Sequence, residues 1–138
     1  MISKGNTMVI QATVENLDSV LEYVESVLEE KLVPTKISIA MAIAVEELFV
    51  NIAHYAYAPA VGDAEILCEC SDGVISVTFI DSGMEFNPLL RPDPDVTLSA
   101  ADRSIGGLGI YMTKKSMDDM IYKREDGKNI LTIIKNYR

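Results

Sequence analysis

Three polar groupings interrupt an otherwise apolar chain of 138 residues, and each offers a chemistry. In VEELFVNIAHYAY, residues 45–57, Glu47, Asn51 and His54 fall within about 60° of one another if the stretch is helical. An Asn carbonyl oxygen is a hard ligand suited to Mg²⁺, and a Glu one turn away can serve as a general base. In FIDSGMEF, residues 79–86, Asp81 shares a strand face with Val77 and Phe79. An acid pointing inward is costly unless it is hydrogen-bonded. Such an acid can accept from an exocyclic amino group, adenine's for example, with Gly83 letting the backbone pass close to a flat base. In SIGGLGIYMTKK, residues 104–115, Gly106, Gly107 and Gly109 precede a helix. Glycine N–H groups at a helix N-terminus can cradle phosphate.

Each grouping also has a plainer reading. A wet helix face accounts for the first, a turn-initiating Asp for the second, and a hinge before a packed helix for the third. Against the first, the polar arc is local: one and two turns back it holds Ala40, Ile43 and Ala44. An amide is also an odd choice for a solvent face, where Lys and Glu are better helix formers. His54 by itself reads as structural. The glycine-rich turn lacks the Lys-Ser/Thr of a P-loop, and no strand precedes it as a dinucleotide fingerprint requires.

The elements that would carry these groups follow from periodicity. Residues 7–12 read as a strand with Met8, Ile10 and Ala12 on one face. Residues 16–31 read as a helix with the stripe Leu17, Val20, Leu21, Val24, Val27 and Leu28. Pro34 breaks it, and Thr35 or Ser38 can cap a second helix that runs to about Tyr57. On the arc opposite Glu47, Asn51 and His54 lie Met41, Val45, Leu48, Phe49, Ile52 and Ala56. Two alternating strands, 64–70 and 74–81, join at SDG as an antiparallel hairpin. A stretch of more than twenty residues with Pro88, Pro92 and Pro94 leads to a helix over about 108–117. Loops of that length are functional or disordered. A last hairpin turns at DGK, with Ile130, Thr132 and Ile134 opposite Leu131 and Ile133. The order β, α, α, β, β, loop, α, β, β predicts an α+β two-layer sandwich: a mostly antiparallel sheet of about five strands with helices on one face.

Composition narrows the class. Length fits one domain, 1–138, and 49% apolar with 24% charged residues is ordinary for a globular protein. No apolar run reaches the roughly 18 to 20 residues needed to span a bilayer, and the N-terminus lacks a continuous apolar signal core. The expectation is a cytoplasmic protein away from membranes. A net charge of −9 repels phosphate backbones, so a basic protein surface is a better partner than nucleic acid. Cys68 and Cys70 lie on one strand face, in poor geometry for a disulfide, and with one His they do not make a zinc site.

Taken in order, Glu-x-x-x-Asn on a helix, Asp-x-Gly after a hairpin strand and a Gly-x-Gly turn after a long loop resemble the GHKL ATPase superfamily, which includes gyrase and the sensor histidine kinases. EELFVNIAHYAY, DSGMEFNP and RSIGGLGIYMTKKSMDDMIY resemble its anti-sigma factor serine/threonine kinases, over nearly the whole chain. The resemblance implies the histidine-kinase-like (Bergerat) fold. It implies ATP and Mg²⁺ as cofactors, and phosphorylation of a serine or threonine on a STAS-domain anti-anti-sigma partner. It further implies sequestration of a sigma factor and a homodimer. By this likeness Glu47 is the general base and Asn51 the Mg²⁺ ligand. Asp81 and Gly83 read the adenine, and Gly107, Leu108 and Gly109 lie at the phosphates. Arg103 stands near the terminal phosphate, in a lid at about 87–106. Three positions depart from the pattern. Tyr55 stands where many relatives have His, Glu85 replaces a second glycine after Asp-x-Gly, and Asn129 stands where relatives carry a Thr that supports adenine. The alternative is a nucleotide-gated binding module that sequesters its partner without kinase activity. A detached histidine-kinase domain fits less well, because the only histidine, His54, lies inside the nucleotide helix.

Overall fold

The five strands expected from the sequence all form, and a short sixth joins them at one edge. The computed structural model describes residues 2–4, 7–90 and 107–138. Strands β1 (Ile2–Lys4), β2 (Thr7–Gln11), β3 (Asp63–Ser71), β4 (Val74–Asp81), β5 (Asp119–Glu125) and β6 (Lys128–Asn136) make one sheet in the order β1-β2-β3-β4-β6-β5. Every pairing is antiparallel. Helices α1 (Leu17–Glu30), α2 (Thr35–Asn51) and α3 (Gly107–Ser116) complete the α+β sandwich.

The hairpins show why register is fixed. Asp72 and Gly73 both have positive φ, as do Asp126 and Gly127. That is the backbone of a tight two-residue hairpin turn, whose twist matches the flanking strands. The first turn pairs Ser71 with Val74 and the second Glu125 with Lys128. With register set, alternation sends Ile66, Cys68, Ile75, Val77, Phe79, Leu131 and Ile133 to one face, where they are buried. On that face α1 places Val20, Val24 and Leu28, and α2 places Met41, Ala44, Val45, Leu48 and Phe49. The opposite face is half-buried and carries a Thr78–Thr132 hydroxyl pair at 3.0 Å. Where β2 pairing stops at Leu67, the Cys68 N–H donates instead to Tyr23 Oη at 2.9 Å, tying α1 to the sheet.

Both ends of α2 depart from the expected helix. Pro34 stands at its N-cap without a side-chain cap bond, so neither Thr35 nor Ser38 has the expected role. At the other end α-helical bonding stops at Asn51, and Ile52–Ala56 continues as a π-helix. Such turns hold one extra residue per loop and are frequent at functional sites. Contrary to the expectation that no apolar run is long enough, Thr35–Ala56 is 22 residues long with hydropathy 1.5, enough by length and composition to cross a membrane. In this fold its apolar face is the centre of the core.

Candidate functional site

Phe79 and Asp81 end β4 on the buried face, and Asn129, the second residue of β6, lies on the same face as the register partner of Asp81. The sheet therefore delivers an acid and an amide, both 6% exposed, to one place. Asp81 Oδ1 accepts the Gly83 N–H and an Asn129 Nδ2–H, each at 2.9 Å. These bonds offset the cost of the inward acid. They engage Oδ1 and leave Oδ2 as the acceptor for a ligand. The same Asn129 Nδ2 donates to the Met84 carbonyl at 2.8 Å, and Asn129 Oδ1 accepts from the Tyr122 hydroxyl at 2.6 Å and the Phe86 N–H at 3.2 Å. Burial, then the nearby Glu85 charge, pushes the Tyr122 phenol above its ordinary value, so it remains a donor at neutral pH.

The π-helix meets this segment from the other side. The Ala56 carbonyl accepts the Met84 N–H at 2.8 Å. A Cβ on Gly83 would collide with that same Ala56 carbonyl, so only glycine lets the two backbones approach. Tyr57 Oη accepts the Ser82 N–H at 2.8 Å and donates to the Asp63 carbonyl at 2.6 Å. The Arg124 guanidinium closes the outside through the Gly83 carbonyl at 2.9 Å.

Between these walls opens a cleft of about 450 Å³, within the size range of small-molecule sites. Leu48, Ile52, Ile110 and Leu131 supply apolar lining, Asp81 and Asn129 mark one polar end, and Asn51 is a further polar group on the wall. Asn51 Nδ2 donates to Glu47 Oε1 at 3.4 Å, which leaves the Asn51 carbonyl oxygen for a ligand. A Cβ on Gly109 would overlap the Glu47 carboxylate, so the first turn of α3 packs directly on that acid. Among the described residues no three His, Cys, Asp or Glu side chains gather as a metal cage. One amide oxygen suits a Mg²⁺ that takes its remaining ligands from substrate phosphates and water.

Of the expected site residues, Asn51 and Asp81 line the cleft; Glu47 is bonded to Asn51, Gly83 to Asp81, and Gly109 packs on Glu47. Gly107 and Leu108 form the backbone start of α3. Arg103, Gly106 and most of the expected lid, from residue 91 to 106, lie outside the described residues. His54 is exposed and meets the Tyr55 ring edge-on at 5.9 Å. Spacing gives no warning of Tyr122, Tyr57 and Arg124 as supports. Asn129 has one available signal: it extends the inward set Leu131 and Ile133 by one polar position, as Asp81 extends Val77 and Phe79.

The sequence pattern of the histidine kinase-like ATPase domain matches residues 10–135. Among solved structures, the RsbU and RsbW domains of Rv1364c from Mycobacterium tuberculosis match with a TM-score of 0.63 and 15% identity, over 97% of this chain and 33% of that one. The chain spans about a third of that structure's length, and at this identity the likeness speaks for the fold alone. No curated protein matches the sequence.

Proposed function

Because the chain belongs to the histidine kinase-like ATPase domain family, we propose that it is an ATP-binding anti-sigma regulator in the cytoplasm that phosphorylates a serine or threonine of a STAS-domain partner. The observation that carries the reading is the doubly bonded Asp81 on a cleft whose wall also holds Asn51, with Glu47 one helical turn away. Adenine lies on the apolar lining with its amino group on Asp81 Oδ2. The triphosphate runs toward the N-terminus of α3, where Gly107, Leu108 and Gly109 offer backbone N–H groups. Asn51 would hold a Mg²⁺, which would supply charge neutralisation at the phosphates. Phosphoryl transfer asks mainly for position and electrostatic stabilisation. One turn of helix rises about 5.4 Å, a spacing that would suit a base and a metal ligand flanking one terminal phosphate. Glu47 accepts the proton of the incoming hydroxyl. By the motif resemblance alone, Arg103 is assigned to the terminal phosphate. Sigma-factor sequestration and a homodimer complete the reading, on the strength of the motif resemblance.

Labelled ATP, a STAS-domain substrate and calorimetry test it. Glu47→Ala should hold nucleotide affinity and lose transfer by about 10²–10⁴-fold, the range of a general base. Asn51→Ala should lose Mg²⁺-dependent binding and transfer together. Full transfer by Glu47→Ala removes Glu47 as the base. A wild type that binds ATP, holds its partner and transfers nothing is a nucleotide-gated binding regulator instead.

A further inference from the structure

We propose that the outer face of α2, flanked by the acids of α1, docks an amphipathic helix of a partner protein that carries basic residues along one edge of its apolar face. Helix α2 packs against both α1 and α3, so its outside should be polar, and it is not. At about 100° per residue, Ile39, Ile43 and Val50 centre on the arc opposite the buried Met41, Val45 and Leu48. Ile39 is 56% and Ile43 66% exposed. A helix that is apolar all round is a buried helix, yet only 28% of the most apolar window of Thr35–Ala56 is buried. Leu32 extends this surface at the α1–α2 turn. Its N–H donates to the Glu29 carbonyl and the Val33 N–H to the Leu28 carbonyl, each at 3.0 Å. That helix-ending motif usually puts glycine in its left-handed position. Leu32 occupies it at φ 56°, with its side chain 86% exposed. An isobutyl group held in water on an unfavourable backbone gives the fold nothing and gives a partner an anchor. On α3, Gly109 marks the side packed on Glu47, and Met112, 56% exposed, lies about 60° further toward solvent. None of these exposed side chains lines the cleft, so the surface does not depend on the nucleotide reading.

Charge selects the occupant. Asp18, Glu22, Glu25 and Glu29 fall within about 60° of one another on α1. Tyr23 marks the other flank of that helix, where its hydroxyl takes the Cys68 N–H beyond the last β2 pairing. The acids therefore lie on the side toward α2. Glu47 faces α3, so Glu46, about 100° round the helix, adds another acid on the α1 side of the apolar stripe. Among the described residues none of these acids is in an ion pair. The exposed Lys36 of α2 and Lys115 of α3 stand on the opposite flank. A helix laid along the stripe meets negative charge on one side and positive on the other, which fixes its direction and favours a basic edge toward α1. A second copy of this chain, at net charge −9, or an anionic membrane would bring more negative charge to the acid flank. From Ile39 to Val50 the stripe runs about 16 Å, about three turns of a docked helix.

Two synthetic helical peptides test this. Both carry a leucine face, one with lysines and the other with glutamates along one edge of it. Fluorescence anisotropy measures each against wild type, Ile39→Ser/Ile43→Ser, Glu25→Lys/Glu29→Lys and Leu32→Gly, at low and high salt, with thermal unfolding and sedimentation of every protein. Wild type should bind the lysine-edged peptide at least about tenfold more tightly than the other, and salt should narrow the gap. Ile39→Ser/Ile43→Ser should lose about tenfold or more in affinity without melting earlier. Glu25→Lys/Glu29→Lys should reverse the preference between the peptides. Leu32→Gly suits the backbone better, so it should melt no lower than wild type while binding severalfold more weakly. Equal affinity for the two peptides, or unchanged affinity in the Ile39→Ser/Ile43→Ser protein, overturns the proposal. So does a wild-type dimer that Ile39→Ser/Ile43→Ser dissociates, which makes a second copy the occupant. Binding to anionic lipid vesicles in preference to the lysine-edged peptide overturns it as well.

Discussion

Gly109→Ala separates catalysis from stability. The added Cβ would land on the Glu47 carboxylate, and Glu47 is the end of a flexible side chain rather than backbone. Ordinary carbon contacts lie at about 3.5–4.0 Å, so the carboxylate must swing away by on the order of 1 Å. The helix itself tolerates the change: Ala exceeds Gly by about 0.8–1 kcal/mol in a helix interior, less in a first turn such as this one. Gain and displacement roughly cancel, and the unfolding midpoint should stay within a few degrees of wild type. Transfer should not. A misplacement of about 1 Å costs a catalytic group on the order of 10²-fold. The assay is paired: single-turnover transfer from labelled ATP, and adenosine diphosphate affinity by calorimetry. Affinity should change by less than about threefold while transfer falls about a hundredfold. Wild-type transfer in a folded Gly109→Ala protein would refute the reasoning, because the carboxylate cannot both keep its place and make room.

Gly83→Ala should do the reverse. Its Cβ meets the Ala56 carbonyl, backbone against backbone, and must open the Ala56–Met84 hydrogen bond. Overpacking plus one lost bond costs about 2–4 kcal/mol, a fall in Tm of roughly 5–15 °C; an unchanged melting curve would contradict the close approach. Burial pushes the Cys68 thiol up from 9.0 to about 12. The folded protein therefore keeps a proton that the unfolded chain releases near pH 9, and linkage makes stability full below that value and lost as pH rises toward 12. Urea midpoints at pH 8 and pH 10.5 should show a steeper decline in wild type than in Cys68→Ala, and equal slopes would rule Cys68 out as a contributor.

Periodicity makes most of this fold legible because each element has one buried face. Leu17 to Leu28 and Ile66 to Phe79 carry patterns that no other element type satisfies. Strand β1 escapes for the opposite reason: three residues, ISK, are too few to show a period, and only pairing to β2 makes them a strand. The end of α2 is blurred because α- and π-helical turns differ by one residue, within the reach of the same apolar pattern. Of the site, the polar groups themselves are visible, since Asp81 and Asn51 are out of place among apolar neighbours. Their bonding partners are not, although resemblance marks position 129 as one that supports adenine. Asn129 lies 48 residues from Asp81 and Arg124 lies 41 from Gly83, and such partners are set by strand register rather than spacing. Spacing also gives no sign that Gly109 and Glu47 touch, because α3 reaches α2 only through the packed helical layer.

The Asp81–Asn129 pair is a rung of the sheet, between the neighbouring strands β4 and β6, whereas Glu47 meets α3 through a contact that a single methyl group can displace. One end of the cleft thus inherits the stiffness of the core and the other does not. On the proposed reading, drift in α3 would retune phosphoryl transfer without disturbing which base is admitted. Altering the base requires a change inside the sheet, with the whole domain's integrity at stake.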